Sequence, residues 1–326
     1  MSSSFDFHYK NAVLQSGGST LICGIVNVTP DSFSDGGKWF DPEKALEHAK
    51  ELVAQGAGML DIGGESTRPG STPVPAEEEI KRVVPVIRAL KESLDVPISI
   101  DTWKADVAQA AIEAGVDIIN DITGLLGDPH MAEVVSQSDV GIIAMFNPVI
   151  ARPHHAGSKI FPSFGGEGVF TTEELDHFTR LPIQDVMTAY FNKVLALTDE
   201  FGIDRQRIML DPGIGFGLTK RENLLLIRDL SKIHGMGFPI FLGVSRKRFV
   251  VNLMTEAGFN LDPETEDGFR NRDEGSAALS VIAAIKGVEV IRVHDIHHHK
   301  IGTIIGDAVR MADEIDNIDF AAYQNK

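Results

Sequence analysis

The chain has 326 residues, 43% hydrophobic and 24% charged, and a formal net charge of -17. That acidity argues against nucleic acid as a partner, because neutralising phosphates needs a basic face. A single cysteine, Cys23, rules out a disulfide framework, no apolar run reaches membrane-spanning length, and MSSSFDFHYK lacks the basic start and apolar stretch of a signal peptide, so a reducing, cytoplasmic setting without membrane attachment is expected.

Residues 1–20 read as an N-terminal lead-in packed on the body that follows, and residues 21–326 as one (β/α)8 barrel, a fold that commonly reaches this length as a single domain. LICGIVN, Leu21 to Asn27, is strand one, followed by the turn-rich VTPDSFSDGGKWFDP. Asp41 and Pro42 form a helix start, with Asp41 as N-cap and Pro42 at the first helical position. In the helix that follows, Ala45, Leu46, Ala49, Leu52 and Val53 share one face and Gly56 stops it. The alternation then repeats. MLDIG is followed by the loop GGESTRPGS and a helix over EEEIKRVVPVIRALKESL, PISID by KADVAQAAIEAG, and IIND by a helix around MAEVVSQ. GIIAMF leads to PIQDVMTAYFNKVLALTDEFG, IMLD to ENLLLIRDLSKIHG, PIFLGVS to SAALSVIAAIKG, and EVIRVHD closes the series. Extended loops follow strands one, two, five and seven. Those from about Asn147 to Leu181 and from about Thr255 to Glu274 are longer than ordinary connections, which makes them lids, oligomer contacts or surface loops without a role.

Nearly every strand ends in a polar side chain, and in a barrel the carboxyl ends of the strands share one mouth. Arg292 and His294 are two apart, so both can point into that mouth and offer donors to one anion. Asn27 ends the neighbouring strand, and its oxygen could bind Mg2+, which in turn would hold phosphate oxygens. Structural pairing of Arg292 with Asp295 or Asp61 is the alternative. Asp101, Asn120 and Asp211, facing inward with Met145, Phe216 and Ile143, suit a flat heterocycle rich in N–H donors. Lys247 is a cation that can pair with a buried carboxylate. Arg68 lies between Thr67 and Pro69 on a loop loosened by Gly63, Gly64 and Gly70, suited either to closing over a negative substrate or to an inert turn. His297, His298 and His299 read as a solvated helix start, and Cys23 as a small core residue.

The segments GIVNVTPDSFSDGG, DIGGESTRPGS, SIDTWK, NDITG, LDPGIGFG, GVSRKRF and RVHD occur in that order, each at a strand end. Together they resemble the dihydropteroate synthase family, in the form found in Gram-positive bacteria, over about Leu21 to Met311. The resemblance implies a TIM barrel transferase of folate synthesis, a sulfonamide target. Its expected reaction joins 6-hydroxymethyl-7,8-dihydropterin diphosphate to 4-aminobenzoate with SN1-like loss of diphosphate, giving 7,8-dihydropteroate. The implied pterin pocket is Asp101, Asn120, Asp211 and Lys247, walled by Ile122, Ile143, Met145, Phe216 and Gly243. Asn27, Arg68, Arg292 and His294 would hold the diphosphate with Mg2+ on Asn27, and Phe33, Thr67, Arg68, Pro69, Phe216 and Lys247 would form the 4-aminobenzoate and sulfonamide site. Asp101, Arg68, Lys247, Arg292 and His294 are the expected catalytic residues, and a homodimer through the last helices is the expected assembly. Two segments depart from the family pattern: Met145-Phe146-Asn147-Pro148 replaces a Met-His-Met-Gln-Gly-like run, and Leu218 with Lys220 replaces a lysine after the Gly-Phe-Gly turn. A methyltetrahydrofolate:corrinoid methyltransferase on the same barrel would need neither Arg68 nor the Arg292/His294 clamp. A non-catalytic pterin-binding paralogue would bind pterin without turnover.

Overall fold

The computed structural model describes residues 5–29 and 42–317. A short hairpin, β1 (Phe7–Tyr9) and β2 (Ala12–Leu14), precedes the barrel. The barrel strands are β3 (Leu21–Asn27), β4 (Met59–Gly63), β5 (Ile98–Asp101), β6 (Ile118–Asp121), β7 (Gly141–Met145), β8 (Ile208–Asp211), β9 (Phe241–Gly243) and β10 (Val290–Val293). All pair in parallel in the order β8-β7-β6-β5-β4-β3-β10-β9, and a parallel bridge from Leu210 to Ile240 closes the ring. Parallel strands covered by helices are enclosed on both faces, and β4 and β7 are buried along their whole length.

Twelve helices are defined among the described residues: α1 (Pro42–Ala54), α2 (Ala76–Ser93), α3 (Ala105–Ala114), α4 (Met131–Ser136), α5 (Pro148–Ala151), α6 (Thr172–Phe178), α7 (Ile183–Glu200), α8 (Lys220–Arg228), α9 (Ser231–Gly235), α10 (Arg248–Glu256), α11 (Glu266–Ile285) and α12 (Ile296–Arg310). None is long and apolar enough to cross a membrane.

The amino-terminal hairpin closes the barrel from below. Phe7 is buried among Cys23, Met59, Ile118, Ile143, Met209, Phe241 and Val290, and these side chains form an apolar floor. Gly141 makes room for it, since a Cβ there would lie 2.5 Å from the Phe7 ring. Cys23 is part of this floor, as its type suggested.

Several connections differ from the expected ones. The stretch expected to be a loop over about 255–274 is largely helical, with α10 ending at Glu256 and α11 starting ten residues later at Glu266. Thr265 caps α11 by accepting the Gly268 N–H, and Asp273 on its second turn pairs with Arg246 at 2.8 and 3.0 Å. These contacts offset the weak helix propensity of a polar, glycine-containing segment. The expected helix over ENLLLIRDLSKIHG is divided into α8 and α9. The histidine run is not uniformly solvated either: His299 is fully buried, with Nδ1 2.6 Å from Ser280 Oγ on α11.

The segment from 147 to 181 is built rather than loose. Asn147 caps α5, accepting the Val149 N–H at 2.9 Å and donating to the Ile122 carbonyl at 2.9 Å. Phe146 packs edge-on against Tyr190 and Phe191 of α7. The departure at 145–148 therefore serves the helical shell. Lys220, the other departure, forms an exposed pair with Glu256.

Candidate active site

The centre of the barrel, above the apolar floor, is polar. Asp61 on β4 is fully buried and accepts three donors: Ser99 Oγ at 2.5 Å, Arg292 Nε at 2.5 Å and Asn120 Nδ2 at 3.1 Å. Arg292 reaches across to a second carboxylate, donating Nη2 to Asp101 at 2.8 Å. Three strands, β4, β5 and β10, are thus joined through one guanidinium, and β6 joins them through Asn120 and Asp61. Burial opposes the charge on Arg292, but Asp61 and Asp101 outweigh it and raise its pKa above the ordinary arginine value. Burial also pushes the Asp101 carboxyl upward, against the pull of Arg292. The structural pairing of Arg292 with Asp61 is therefore present, yet Nη1 bonds no partner among the described residues. Asn120 is oriented by the same aspartate, because donation of Nδ2 to Asp61 leaves its Oδ1 to accept from a ligand.

Around this cluster stand Asp211, Lys247 and His294. Asp211 accepts the Gly213 N–H at 2.8 Å, in a turn where Gly213 has φ 71° and a Cβ would overlap the Phe146 carbonyl. Burial raises the Asp211 pKa to about 6, although that hydrogen bond and the charge of Lys247 favour the ionised form. Lys247 is lowered by burial to about 8 and stays mostly protonated at neutral pH. Its stem packs over Gly215, where a Cβ would lie 3.0 Å from Lys247 Cδ, and its Nζ sits 5.5 Å from the Phe216 ring centroid. Gly243 likewise leaves space beside it, with Lys247 Nζ 3.8 Å from an added Cβ. His294 is held neutral by burial and by the surrounding cations, Arg246 first. Ser245 Oγ accepts the His294 backbone N–H at 3.3 Å and lies 2.9 Å from Nδ1. When the Ser245 hydroxyl donates to Nδ1, the imidazole proton lies on Nε2 and is a donor there.

Ile122 and Met145 are buried at the ends of β6 and β7, at the level of this shell. Ile143 lies deeper, in the floor with Phe7 and Met209, so it underlies the pocket instead of walling it. Asn27 is half-buried at the end of β3. Its amide bonds no partner among the described residues, and its Oδ1 lies 3.6 Å from where a Cβ at Gly63 would be. Phe33 falls outside the described residues.

Arg68 is exposed, Thr67 half-buried and Pro69 exposed, on a loop anchored at its base. Lys104 donates to Glu79 at 2.6 Å, Glu65 at 3.0 Å and the Val74 carbonyl at 2.6 Å. Glu65 also accepts from the Trp103 indole at 2.9 Å and the Val74 N–H at 2.6 Å. Two of these carboxylates are nearly fully buried, so Lys104 is their neutralising charge. The motif SIDTWK showed Lys104 and Trp103 as letters only. Their role depends on contacts with β4 and α2, which no local pattern reveals.

The arrangement holds two carboxylates, an oriented amide, three cations and a neutral imidazole donor around one mouth. It can take a planar donor-rich ring and an anionic group together. Among the described residues no group of three or more His, Cys, Asp or Glu could hold a metal by itself.

A family model described as pterin binding enzyme matches residues 23–294. The dihydropteroate synthase of Bacillus subtilis is 40% identical over 289 residues, covering 89% of this chain and 88% of that relative. That of Clostridium beijerinckii is 40% identical over 281 residues, covering 86% and 90%. Among solved structures, the dihydropteroate synthase of Clostridium difficile with pteroic acid aligns at TM-score 0.75 and 36% identity, covering 90% of this chain and 98% of that one. The Xanthomonas albilineans enzyme with 4-aminobenzoic acid aligns at TM-score 0.76 and 34% identity, covering 94% and 98%.

The raised Asp211 pKa has a definite sign. The folded chain binds this proton more tightly than the unfolded chain, so the stability present at low pH is lost as pH rises through about 6. Asp211→Asn should therefore stabilise the free protein at pH 8 by on the order of 2 kcal/mol and change little near pH 4. Urea unfolding at the two pH values checks this, and an equal effect at both would contradict the burial argument.

Proposed function

The chain belongs to the pterin-binding enzyme family, within its dihydropteroate synthases, and from that premise we propose how its residues divide the work of joining a dihydropterin diphosphate to 4-aminobenzoate. The observation that carries the assignment is the Asp61–Arg292–Asp101 cluster with the Asn120 oxygen and the Asp211 carboxylate left to accept. Asp211 and Asn120 receive the N–H groups of the pterin edge, Lys247 supports the ring, and Met145 and Ile122 enclose it. A carboxylate accepting two parallel N–H bonds is a strong, directional contact.

Diphosphate then lies over Arg292 Nη1, the Nε2–H of His294 and Arg68. As the C–O bond breaks, negative charge grows on the leaving group and positive charge spreads into the pterin. The cations stabilise the first and Asp101 the second. At an effective dielectric near 20, one pair about 4 Å apart contributes roughly 4 kcal/mol, or about three powers of ten if realised only in the transition state. The aniline nitrogen attacks the exposed carbon from a site made by Thr67, Pro69, Phe216 and Lys247, and the proton it then loses passes to the departing diphosphate or to water. No covalent enzyme intermediate is needed.

Asn27 fits a role in holding Mg2+. Its amide oxygen, without a bonded partner among the described residues, matches an ion that keeps several waters and otherwise binds substrate phosphates. Bound there, Mg2+ would supply charge neutralisation to the diphosphate. The buried thiol of Cys23 suits a reducing, cytoplasmic setting.

A second copy of the chain is the proposed partner. Ile301, Ile304, Ile305 and Val309 of α12, with Ile282 and Ile285 of α11, expose a continuous apolar stripe on two closely packed helices. Such a patch suits a self-complementary twofold interface.

The reading is tested by incubating the chain with 6-hydroxymethyl-7,8-dihydropterin diphosphate and 4-aminobenzoate, with Mg2+ and then with EDTA. Dihydropteroate formed with Mg2+ and lost with EDTA is expected. Pterin binding without product would contradict the catalytic assignment, and product undiminished by EDTA would remove the metal. For the assembly, Ile305→Glu should convert a dimer into a monomer in sedimentation, and an unchanged mass would place the interface elsewhere.

A further inference from the structure

The insertion between β7 and α7 touches three loops of the mouth. The Ile160 carbonyl accepts the Gly70 N–H at 3.2 Å, two residues beyond Arg68. The Gly127 carbonyl, in the loop after β6, accepts the Gly166 N–H at 3.1 Å. After β8, backbone meets backbone so closely that a Cβ on Gly157 would lie 2.8 Å from the Gly217 carbonyl oxygen. Glycines at these contacts let one segment lie against three others, so the insertion is a fixed roof.

From that roof two aromatic rings reach the site. Phe161 stacks on Phe216 with centroids 5.6 Å apart and planes 23° apart. Phe164 meets Phe216 edge-on at 6.4 Å and Trp103 at 6.3 Å. Phe216 is the ring that also carries Lys247 over it. Phe161 thus packs on Phe216 while the neighbouring Ile160 carbonyl holds the loop that bears Thr67, Arg68 and Pro69, and both border the proposed arylamine site.

We propose that Phe161 is a specificity-determining residue of the second-substrate site. This rests on the synthase reading and deepens it. Its ring offers an apolar wall to a small flat arylamine, and the roof behind it opposes arylamines extended at the para position. The wall acts chiefly on the second substrate, because Phe161 meets the site through Phe216, whereas the groups that receive the pterin N–H edge, Asn120 and Asp211, lie on β6 and β8.

Steady-state kinetics of the full chain with 4-aminobenzoate and with 4-aminobenzoylglutamate test the proposal in the wild type, Phe161→Ala and Phe161→Tyr. Phe161→Ala should raise the KM for 4-aminobenzoate about tenfold and reduce the preference for the smaller amine by a similar factor, the loss expected from one aromatic contact. The KM for the dihydropterin diphosphate should be unchanged, and Phe161→Tyr should restore both properties. Should Phe161→Ala fold poorly, Phe161→Leu carries the same test with an apolar side chain lacking the ring. An unaltered KM and preference in the ring-deleted variants would overturn the proposal, as would equal changes for both substrates. Absence of product from the wild-type chain would overturn the synthase reading itself, and that result is seen before any substitution is made.

Discussion

One guanidinium organises the interior of this barrel. Arg292 lies between Asp61 and Asp101, and through Asp61 it is joined to Ser99 and Asn120. Placing these charges away from water costs several kcal/mol per ion, and only near-complete hydrogen bonding offsets it. The geometry meets that requirement from below, where Asp61 is enclosed, and leaves capacity above, on Nη1 and on the Asn120 oxygen. A ligand therefore meets groups already held in place. Preorganised dipoles and charges of this kind need no rearrangement when charge develops during reaction.

The scaffolding beneath and around this cluster follows from packing. Phe7 seals the floor, so the polar layer is reached only from the mouth. At the rim, Lys104 ties Glu65 and Glu79 together and fixes the base of the Arg68 loop. Glycines recur wherever two loops approach closely, as at Gly213 under the Phe146 carbonyl and Gly127 beside the insertion. Raised carboxylate pKa values are the thermodynamic trace of the arrangement. A site built to bind a cationic or donor-rich ligand is strained in its absence.

Much of this was legible in the sequence because barrel geometry links position to role. A polar residue at a strand end lies at the mouth, which marked Asp101, Asn120 and Asp211, and the two-residue spacing of Arg292 and His294 put both on one face. Asp61 and Ser99 were harder, since they lie one layer lower, where a polar residue at a strand interior has no distinctive local pattern. Ile143 shares the inward face of Met145 but lies two residues earlier on β7, where it packs with the floor. Contacts between loops were not legible at all. Phe161 and Phe164 read as apolar residues in a proline- and glycine-rich stretch, and only the fold brings them to Phe216. The start of α11 was missed for a related reason, because its stability comes from Arg246 and from the Thr265 cap rather than from apolar periodicity.

Asp61 is fully buried and bonds Arg292 and Asn120, so its effect on the reaction should pass through those two residues. The most direct test is the kinetics of Asp61→Asn, measured with each substrate varied in turn. In this variant kcat/KM for the dihydropterin diphosphate should fall about a hundredfold, as for loss of one well-placed charge interaction, while the KM for 4-aminobenzoate stays near the wild-type value. Wild-type kcat/KM in a folded Asp61→Asn variant would show that Arg292 is positioned without its buried partner, and would contradict the account.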